Sequence, residues 1–307
     1  MSSQDSAPIA EAQLQELEGA RQRAIGLGQR WLAGAIVAAV LVGLWCYTCD
    51  APIAGVVAVT TAIVLGWHQR YRAHQNVVDR FKAELLPIVL ARIDPALRYH
   101  PGVGLSRHDF QETGLFLRPD RFHSNDLILG QYGATALRLS LVHAEEEYTE
   151  THRDANGHEH SETRYRTIFQ GLLMIADFNK QLEGRTVVKP RTLAALQLLS
   201  GNALTLEDPE FNRHFVAYGN HAVEARYVLT PAFMQALVRL RQQFSFRLAC
   251  ANSTLYFAAD LPWNLFEPSL RESFAGGKQV QDLTYTLGRI FGVIDALDLN
   301  TRIWNRP

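Results

Sequence analysis

Two charge-free apolar runs near the N-terminus constrain this chain more than any other feature of its sequence. The first run spans Trp31–Cys49 and the second spans Ala51–Trp67, with Asp50 between them. At about 1.5 Å per residue each run forms a helix of roughly 25–28 Å, close to the thickness of a hydrocarbon core of about 30 Å. A soluble core helix normally keeps a polar face, and neither run has one. The sequence therefore predicts two transmembrane helices, at residues 31–49 and 51–68.

The charged residues that flank the two runs predict their orientation. Arginines precede the first run and follow the second: Arg21, Arg23, Arg30, Arg70, Arg72 and Arg80. Positive residues near the ends of membrane helices are retained in the cytoplasm, and the turn between the runs offers only Asp50. We therefore expect a two-pass protein that contacts the lipid bilayer and keeps both termini in the cytoplasm.

The rest of the chain divides into a leader, a helix and a large domain. Residues 1–30 change from acidic to arginine-rich, and we predict a partly disordered cytoplasmic leader there. Residues 70–95 carry apolar side chains at helical intervals up to Asp94, which predicts a membrane-proximal helix with a kink at Pro87. Residues 96–307 are then expected to form a cytoplasmic domain.

Alternating apolar and polar residues predict strands in this domain. Two strands, around Leu137–Val142 and Phe169–Ile175, are expected to be antiparallel and joined by a long polar loop. A second hairpin is expected from residues 244–251 and 254–259, with a turn at Asn252-Ser253. The predicted fold class is therefore α+β, with antiparallel strands and packed helices, behind an N-terminal two-helix transmembrane hairpin.

Two helices are predicted in the same domain. Thr230 is placed as an N-cap, with Pro231 at the first helical position. From Val280 to Leu297 the apolar residues follow spacings of three and four, which suits either a helix docked on the core or a dimerising seam. Oligomerisation through this 280–297 helix or through the membrane hairpin is left open.

Two long motifs resemble a bacterial family. They are Leu206–Tyr218 (LEDPEFNRHFVAY) and Glu224–Met234 (EARYVLTPAFM). Three shorter segments share the resemblance: IFQGL at 168–172, ADFNK at 176–180 and LNTRIW at 299–304. The family is the domain of unknown function number three-one-three-seven. The resemblance implies two N-terminal spans before a cytoplasmic domain at the inner membrane of a bacterium, and it implies no activity.

Six residues of the long motifs are candidates for a surface that binds a partner: Glu207, Asp208, Phe211, Tyr218, Glu224 and Arg226. Phe211 and Phe215 are four residues apart, which places both on one helix face, and the acids before them favour a helix start. Glu224 and Arg226 are two apart, so they would share a face on a strand. We interpret them as an ion pair that pins this segment, with a functional polar pair as the alternative.

A polar segment rich in histidine and glutamate is the candidate metal site. Its histidines are His152, His158 and His160, and the His158-x-His160 pair could chelate a divalent ion. The spacing matches no closed zinc set, and the alternative is a plain hairpin tip. Cys46 and Cys49 form Cys-x-x-Cys without a thioredoxin-like context, so packing is the simpler interpretation, as it is for Cys250.

The balanced charge and the absence of several catalytic and cofactor motifs from this sequence exclude several functions. The 30 Lys+Arg balance 31 Asp+Glu, so no net field attracts nucleic acid. The sequence has no phosphate-binding loop, no nucleophile elbow and no dinucleotide fingerprint. We therefore predict no cofactor and assign no catalytic residue.

Three functional hypotheses are compatible with this sequence. The first is a membrane-tethered interaction or regulatory module that docks a protein partner at the inner membrane or in the cytoplasm. The second is a membrane-associated enzyme that acts on a lipid or lipid-linked substrate. The third is a metal sensor that uses the histidine-rich segment.

Overall fold

The computed structural model describes residues 7–48, 52–153, 159–194 and 203–301. Within those residues the chain forms eight helices and one nine-stranded sheet. The helices are α1 (Ala7–Thr48), α2 (Pro52–Ile93), α3 (Arg107–Glu112), α4 (Arg191–Ala194), α5 (Pro209–His214), α6 (Ala222–Val228), α7 (Pro231–Arg241) and α8 (Lys278–Ala296). The strands are β1 (Arg98–His100), β2 (Arg121–Tyr132), β3 (Thr135–Arg153), β4 (Glu159–Asp177), β5 (Arg185–Pro190), β6 (Ala203–Leu204), β7 (Phe215–Gly219), β8 (Phe246–Ala251) and β9 (Thr254–Asp260).

The described strands form one antiparallel sheet in the order β1-β2-β3-β4-β9-β8-β5-β7-β6. Both predicted hairpins are present, and β4 pairs with β9 at the centre of the sheet. The turn between β8 and β9 falls where the sequence predicts it, with Asn252 at a φ of 55°. Asn tolerates this left-handed conformation better than most residues. The α+β class with an antiparallel sheet is therefore confirmed.

The predicted polar loop between the first two strands is for the most part paired strand. β3 and β4 are 19 residues each, and their pairing runs from Leu137↔Ala176 to Arg153↔Glu159. The prediction of a long loop was wrong because both faces of this ribbon are polar, so no apolar period marks it. Cross-strand pairs stabilise it instead, for example Arg166 Nη2 at 2.5 Å from Glu146 Oε1.

The first face of the sheet is covered by α3 and the chain on either side of it. Their buried residues Leu105, Phe110 and Leu115 pack against Val142, Phe169 and Ala249 of the strands. The Phe110 ring stacks on Phe116, with centroids 4.8 Å apart. Side chains alternate along strands, so the next residues of β8 and β9 face the other side.

The second face carries a chain of aromatic rings. Phe211 contacts Phe215 at a centroid distance of 5.3 Å, Phe215 contacts Phe246 at 5.3 Å, and Phe246 contacts Phe257 at 4.9 Å. All four rings are at most 1% exposed. This face therefore holds the core that positions α5.

The two predicted C-terminal helices are confirmed. The Thr230 side chain accepts a hydrogen bond from the Phe233 N–H, and Pro231 is the first residue of α7. In α8, Leu287, Ile290 and Ile294 are buried, as expected for a docked core helix. The helix α2 ends at Ile93, next to Asp94.

The chain divides into two compact units. The first comprises the chain up to Val89 together with Phe266–Tyr285, and the second comprises Leu90–Leu265 and the chain from Thr286 onward. We call them the helical unit and the sheet unit. The predicted domain limits at residues 30, 69 and 95 remain a prediction, and α1 and α2 each run across one of them without a break.

In the helical unit, α1 and α2 approach each other at several described side chains. A Cβ at Gly66 would lie 3.6 Å from the Ala35 Cβ, and the Glu16 carboxylate pairs with Arg80 at 2.8 Å. Small residues of this kind let two helix backbones approach closely. Leu17, Val78, Phe81 and other apolar residues near the cytoplasmic ends predicted for the helices are buried.

Residues 266–277 of the helical unit form a strap against α1 and α2. The Phe274 N–H donates to Glu18 at 2.8 Å, and Arg21, paired with Glu18 at 2.6 Å, donates to the Leu270 carbonyl at 3.0 Å. The Phe274 ring lies 5.5 Å from the ring of Phe81. The strap therefore joins both helices through charge-assisted and aromatic contacts.

One described helical segment, Leu14–Trp45, is long and apolar enough to cross a membrane, by length and composition. It includes most of the first predicted span. The second charge-free run lies in the first half of α2, and the turn at residues 49–51 lies outside the described residues, as does the Cys46 side chain. The N-terminal apolar helix is therefore present.

Candidate functional site

The first long motif builds α5 and its cap. The Asp208 carboxylate accepts hydrogen bonds from the N–H groups of Glu210, at 2.9 Å, and Phe211, at 3.0 Å. Pro209 occupies the first turn, where its missing N–H costs nothing. Asp208 therefore caps the N-terminus of α5, which agrees with the helix start predicted from the acids before Phe211.

Phe211 belongs to the core and not to the surface. It is 0% exposed, and Phe215, which was expected on the same helix face, begins β7 because α5 ends at His214. The two rings still meet, so the predicted contact is present although the predicted helix is too long. Of the six candidate partner residues, Phe211 is therefore inaccessible to a partner in the folded chain.

An open groove runs between α5 and α7 in the sheet unit. Its volume is about 730 Å³. The lining residues come from the cap and last turn of α5 and from one face of α7: Asp208, Pro209, Glu210, Arg213, Gln235, Val238, Arg239 and Gln242. It is the place where the long motif reaches a concave surface, so we take it as the candidate functional site.

Two arginines supply the positive charge of the groove. Arg213 lies in the last turn of α5 and Arg239 in the last turn of α7, and both are exposed. In the part of the chain that the structure describes, neither forms a salt bridge with the acids Asp208 and Glu210. Guanidinium groups that form no salt bridge with these acids can bind carboxylate or phosphate oxygens of a partner. The side-chain amides of Gln235 and Gln242 can form hydrogen bonds with a peptide backbone. The groove can therefore recognise a polar partner.

The second long motif forms a helix, which corrects one prediction. Glu224 and Arg226 lie on α6, where residues two apart point in different directions, so no ion pair joins them among the described salt bridges. The Glu224 carboxylate instead accepts the N–H groups of Glu183, at 3.1 Å, and Gly184, at 2.7 Å. These hydrogen bonds hold the pKa of Glu224 below its usual value. Glu224 therefore anchors the segment before β5, and Arg226 is exposed.

The last two candidates of the long motif have separate environments. Tyr218 lies on β7, opposite Val187 of β5 and Ala203 of β6, and is half-buried. Glu207 is exposed and precedes the cap residue Asp208. The structure therefore does not gather the six candidates into one surface, and only Asp208 lines the groove.

The histidine-rich segment lies at the far end of the β3–β4 ribbon. His158 lies outside the described residues, and only backbone positions are described for His152 and His160. Among the side chains that the structure does describe, no three His, Cys, Asp or Glu residues are placed to hold a metal ion. Cys250 is fully buried on β8, which agrees with its interpretation as packing, and burial raises the pKa of its thiol to about 12.

Residues 167–299 match the family described as protein of unknown function, DUF3137. The chain carries a DUF3137 domain. This agrees with the resemblance drawn from the long motifs, and all residues of the groove lie in the matched segment. The DUF3137 domain thus includes α5, α6, α7 and most of the sheet from β4 onward.

Comparisons with other proteins add little to this. No curated protein matches the chain. A mycobacterial structure, the crystal structure of the trehalose monomycolate transport factor A, TtfA, aligns with 6% identity and a TM-score of 0.34 over 71% of this chain and 96% of that chain. A TM-score of this size does not establish a shared fold.

Sequence reasoning missed most of the groove residues of the DUF3137 domain. Gln235, Val238, Arg239 and Gln242 follow the spacing i, i+3, i+4, i+7, which marks one helix face. That spacing was a usable signal for a shared face of α7. The position of this α7 face beside Arg213 of α5 depends on tertiary packing, and no local pattern in the sequence indicates it.

Proposed function

We propose that this protein is a membrane-tethered interaction module. Two transmembrane helices, at residues 31–49 and 51–68, anchor it in the inner membrane of a bacterium with both termini in the cytoplasm. The DUF3137 domain binds a protein partner through the groove between α5 and α7. The proposal assigns no catalytic step to the domain.

The observation that supports membrane tethering is the exposed apolar surface of α1 and α2. Ile36, Val37, Val40, Leu41 and Leu44 of α1 are between 56% and 62% exposed. Soluble proteins rarely leave contiguous apolar surface of this extent in water, whereas lipid tails would cover it.

The same feature supports a second span in α2. Val56, Val57, Ile63, Val64 and Leu65 are between 54% and 64% exposed. Arginines flank both runs on the side predicted to be cytoplasmic, which favours a two-pass orientation. Tryptophans near the ends of the runs suit the membrane interface.

Reporter fusions to the full chain test this topology. A fluorescent protein that folds only in the cytoplasm is fused after Pro307, and alkaline phosphatase, which is active only outside, is fused at the same point in a parallel strain. Two spans predict fluorescence and no phosphatase activity. One span with a cytoplasmic N-terminus predicts the reverse and would refute the two-pass topology.

A charge substitution tests membrane burial of α2. We expect Val57→Glu combined with Val64→Glu to release part of the chain from membranes washed at alkaline pH, because a carboxylate in hydrocarbon costs several kcal/mol, about 2.5–3.5 on insertion scales. The matched control is Val103→Glu, since Val103 is an exposed apolar residue of the sheet unit. Equal retention of both variants would contradict the second span.

Photo-crosslinking in cells tests the groove as the partner surface. A photoreactive amino acid replaces Arg213 or Arg239 in the full chain, and Arg118, an exposed arginine outside the groove, serves as the control. We expect the same adduct mass from both groove positions and not from the control. An adduct of the same mass from the Arg118 position would argue against the groove as the docking surface.

A further inference from the structure

The parts of α1 and α2 that adjoin the two charge-free runs carry arginines but no acids. From residue 19 to residue 78 the sequence has a single acidic residue, Asp50, in the turn between the runs. Arg30 directly precedes the first run, and Arg70 and Arg72 follow closely after the second. All three side chains are exposed. We call these three residues the arginine belt.

The contacts between the two helices place the arginine belt at one end of the runs. A Cβ at Gly28 would lie 3.3 Å from Arg70 Cγ, so the stem of Arg70 lies against α1 at a position that has no side chain. A Cβ at Gly66 would lie 3.8 Å from the carbonyl oxygen of Trp31. Arg30, the neighbour of Trp31 in the sequence, is therefore at the same end as Arg70.

Arginines further from the runs are paired with carboxylates of the same helices. Arg21 lies 2.6 Å from Glu18. Arg80 lies 2.8 Å from Glu16 and 3.1 Å from Glu84. In the part of the chain that the structure describes, no salt bridge of this kind reaches the arginine belt. The positive charge of the belt is therefore left for an anion from outside the chain.

Exposed aromatic rings accompany the arginine belt. Trp31 and Trp67, at the ends of the runs, are 52% and 72% exposed, and Tyr71, between the arginines of α2, is 57% exposed. Such rings favour the boundary between lipid tails and headgroups. At about 1.5 Å per residue, Arg70 and Arg72 lie roughly 4.5 and 7.5 Å beyond Trp67, which matches a headgroup layer of roughly 5–8 Å.

We propose that the arginine belt binds the headgroups of anionic phospholipids and so collects lipids such as phosphatidylglycerol around the two helices. Guanidinium groups bind phosphate oxygens through two parallel hydrogen bonds. Phosphatidylcholine also carries a phosphate, but its own cation compensates the charge, so the belt prefers the anionic class. This inference rests on the proposed membrane tethering and does not involve the groove.

Brominated lipids, which quench tryptophan fluorescence at short range, test the proposal. The full chain is reconstituted into vesicles of phosphatidylcholine and phosphatidylglycerol in equal parts, with bromine on the acyl chains of one lipid or of the other. Trp31 and Trp67 adjoin the belt. We expect brominated phosphatidylglycerol to quench them more strongly than brominated phosphatidylcholine, and the ratio gives the lipid preference.

Removal of belt arginines should lower this preference. We expect Arg70→Gln to reduce it about fivefold, the factor expected for one basic residue at an anionic membrane surface. Arg70→Gln combined with Arg72→Gln should reduce it further. The matched control is Arg118→Gln combined with Arg226→Gln, which removes the same charge from exposed arginines of the sheet unit.

A second pair of variants separates the position of Arg70 from the net charge. Gly28→Leu places a side chain against the stem of Arg70 and should lower the preference although no charge is removed. Gly26→Leu is the matched control, because a Cβ at Gly26 meets no atom within 4 Å. Equal preference in these two variants would contradict the placement of Arg70 over Gly28.

Retention of each variant by phosphatidylcholine vesicles after an alkaline wash is measured first. A parent chain that washes off would overturn both membrane tethering and the arginine belt. A retained parent chain without preference for phosphatidylglycerol would overturn the belt alone. The same conclusion would follow if the preference survived Arg70→Gln with Arg72→Gln, or if the control variant lost it equally.

Discussion

Replacing Phe211 by alanine separates a structural role of the first long motif from a binding role. Phe211 is 0% exposed and contacts Phe215, which continues the row of rings to Phe246 and Phe257 on β8 and β9. Truncation of a buried phenylalanine to alanine costs about 3–5 kcal/mol, because it removes apolar burial and leaves a cavity. We expect Phe211→Ala to destabilise the sheet unit by an amount in this range.

Hydrogen exchange measured by mass spectrometry gives the assay. Amides of β7 and β8 that exchange through opening of this core should speed up by a factor of roughly 100 to a few thousand, since each 1.4 kcal/mol is about tenfold. The matched control is Glu207→Ala, because Glu207 is exposed in the same motif and surface changes stay within about 0.5 kcal/mol. An increase below about tenfold in Phe211→Ala would refute the reasoning that this residue is architectural.

Three further expectations follow from local contacts. Thr230→Ala removes the cap of α7 and should lower the free energy of unfolding by about 1 kcal/mol, measured by chemical denaturation. Burial opposes the charge of Asp109, yet hydrogen bonds from Ser106 and the charge of Arg138 outweigh it and lower its pKa. The stabilisation by the Asp109 carboxylate is therefore complete above the unfolded pKa and is lost as the pH falls through the folded pKa. We expect the unfolding temperature of Asp109→Asn to fall less steeply than that of the parent as the pH is lowered below about 4. Cys250 should resist maleimide at pH 8 until the chain unfolds, because burial raises its pKa to about 12; rapid labelling of the folded chain would contradict this.

Local signals in the sequence were sufficient for several elements. Thr230 and Pro231 mark the start of α7 because a cap and a missing N–H act within one turn. Asn252-Ser253 marks the β8–β9 turn, and the apolar spacing from Val280 to Leu297 marks the buried face of α8. In each case the determining interaction is short-range.

Elements that depend on distant partners could not be predicted in the same way. The ribbon from Glu146 to Arg166 is held by cross-strand charge pairs, and a polar strand of this kind resembles a loop when it is viewed alone. Glu224 was assigned to Arg226 because the two are close in sequence, whereas its hydrogen-bond donors lie about 40 residues earlier. The groove has the same origin, since its walls are separate segments brought together by the core beneath them.

The strap has a practical consequence for dividing the protein. The strap and the first two turns of α8, together residues 266–285, belong to the helical unit although they lie in the sequence between β9 and the buried half of α8. A fragment that begins at residue 96 retains Phe274 but lacks both Phe81, which packs on its ring, and Glu18, which accepts its N–H. A single cleavage therefore exposes the apolar ring of Phe274 on the product. Two cuts, with a short polar linker in place of residues 266–285, would release the sheet unit without this part of the helical unit.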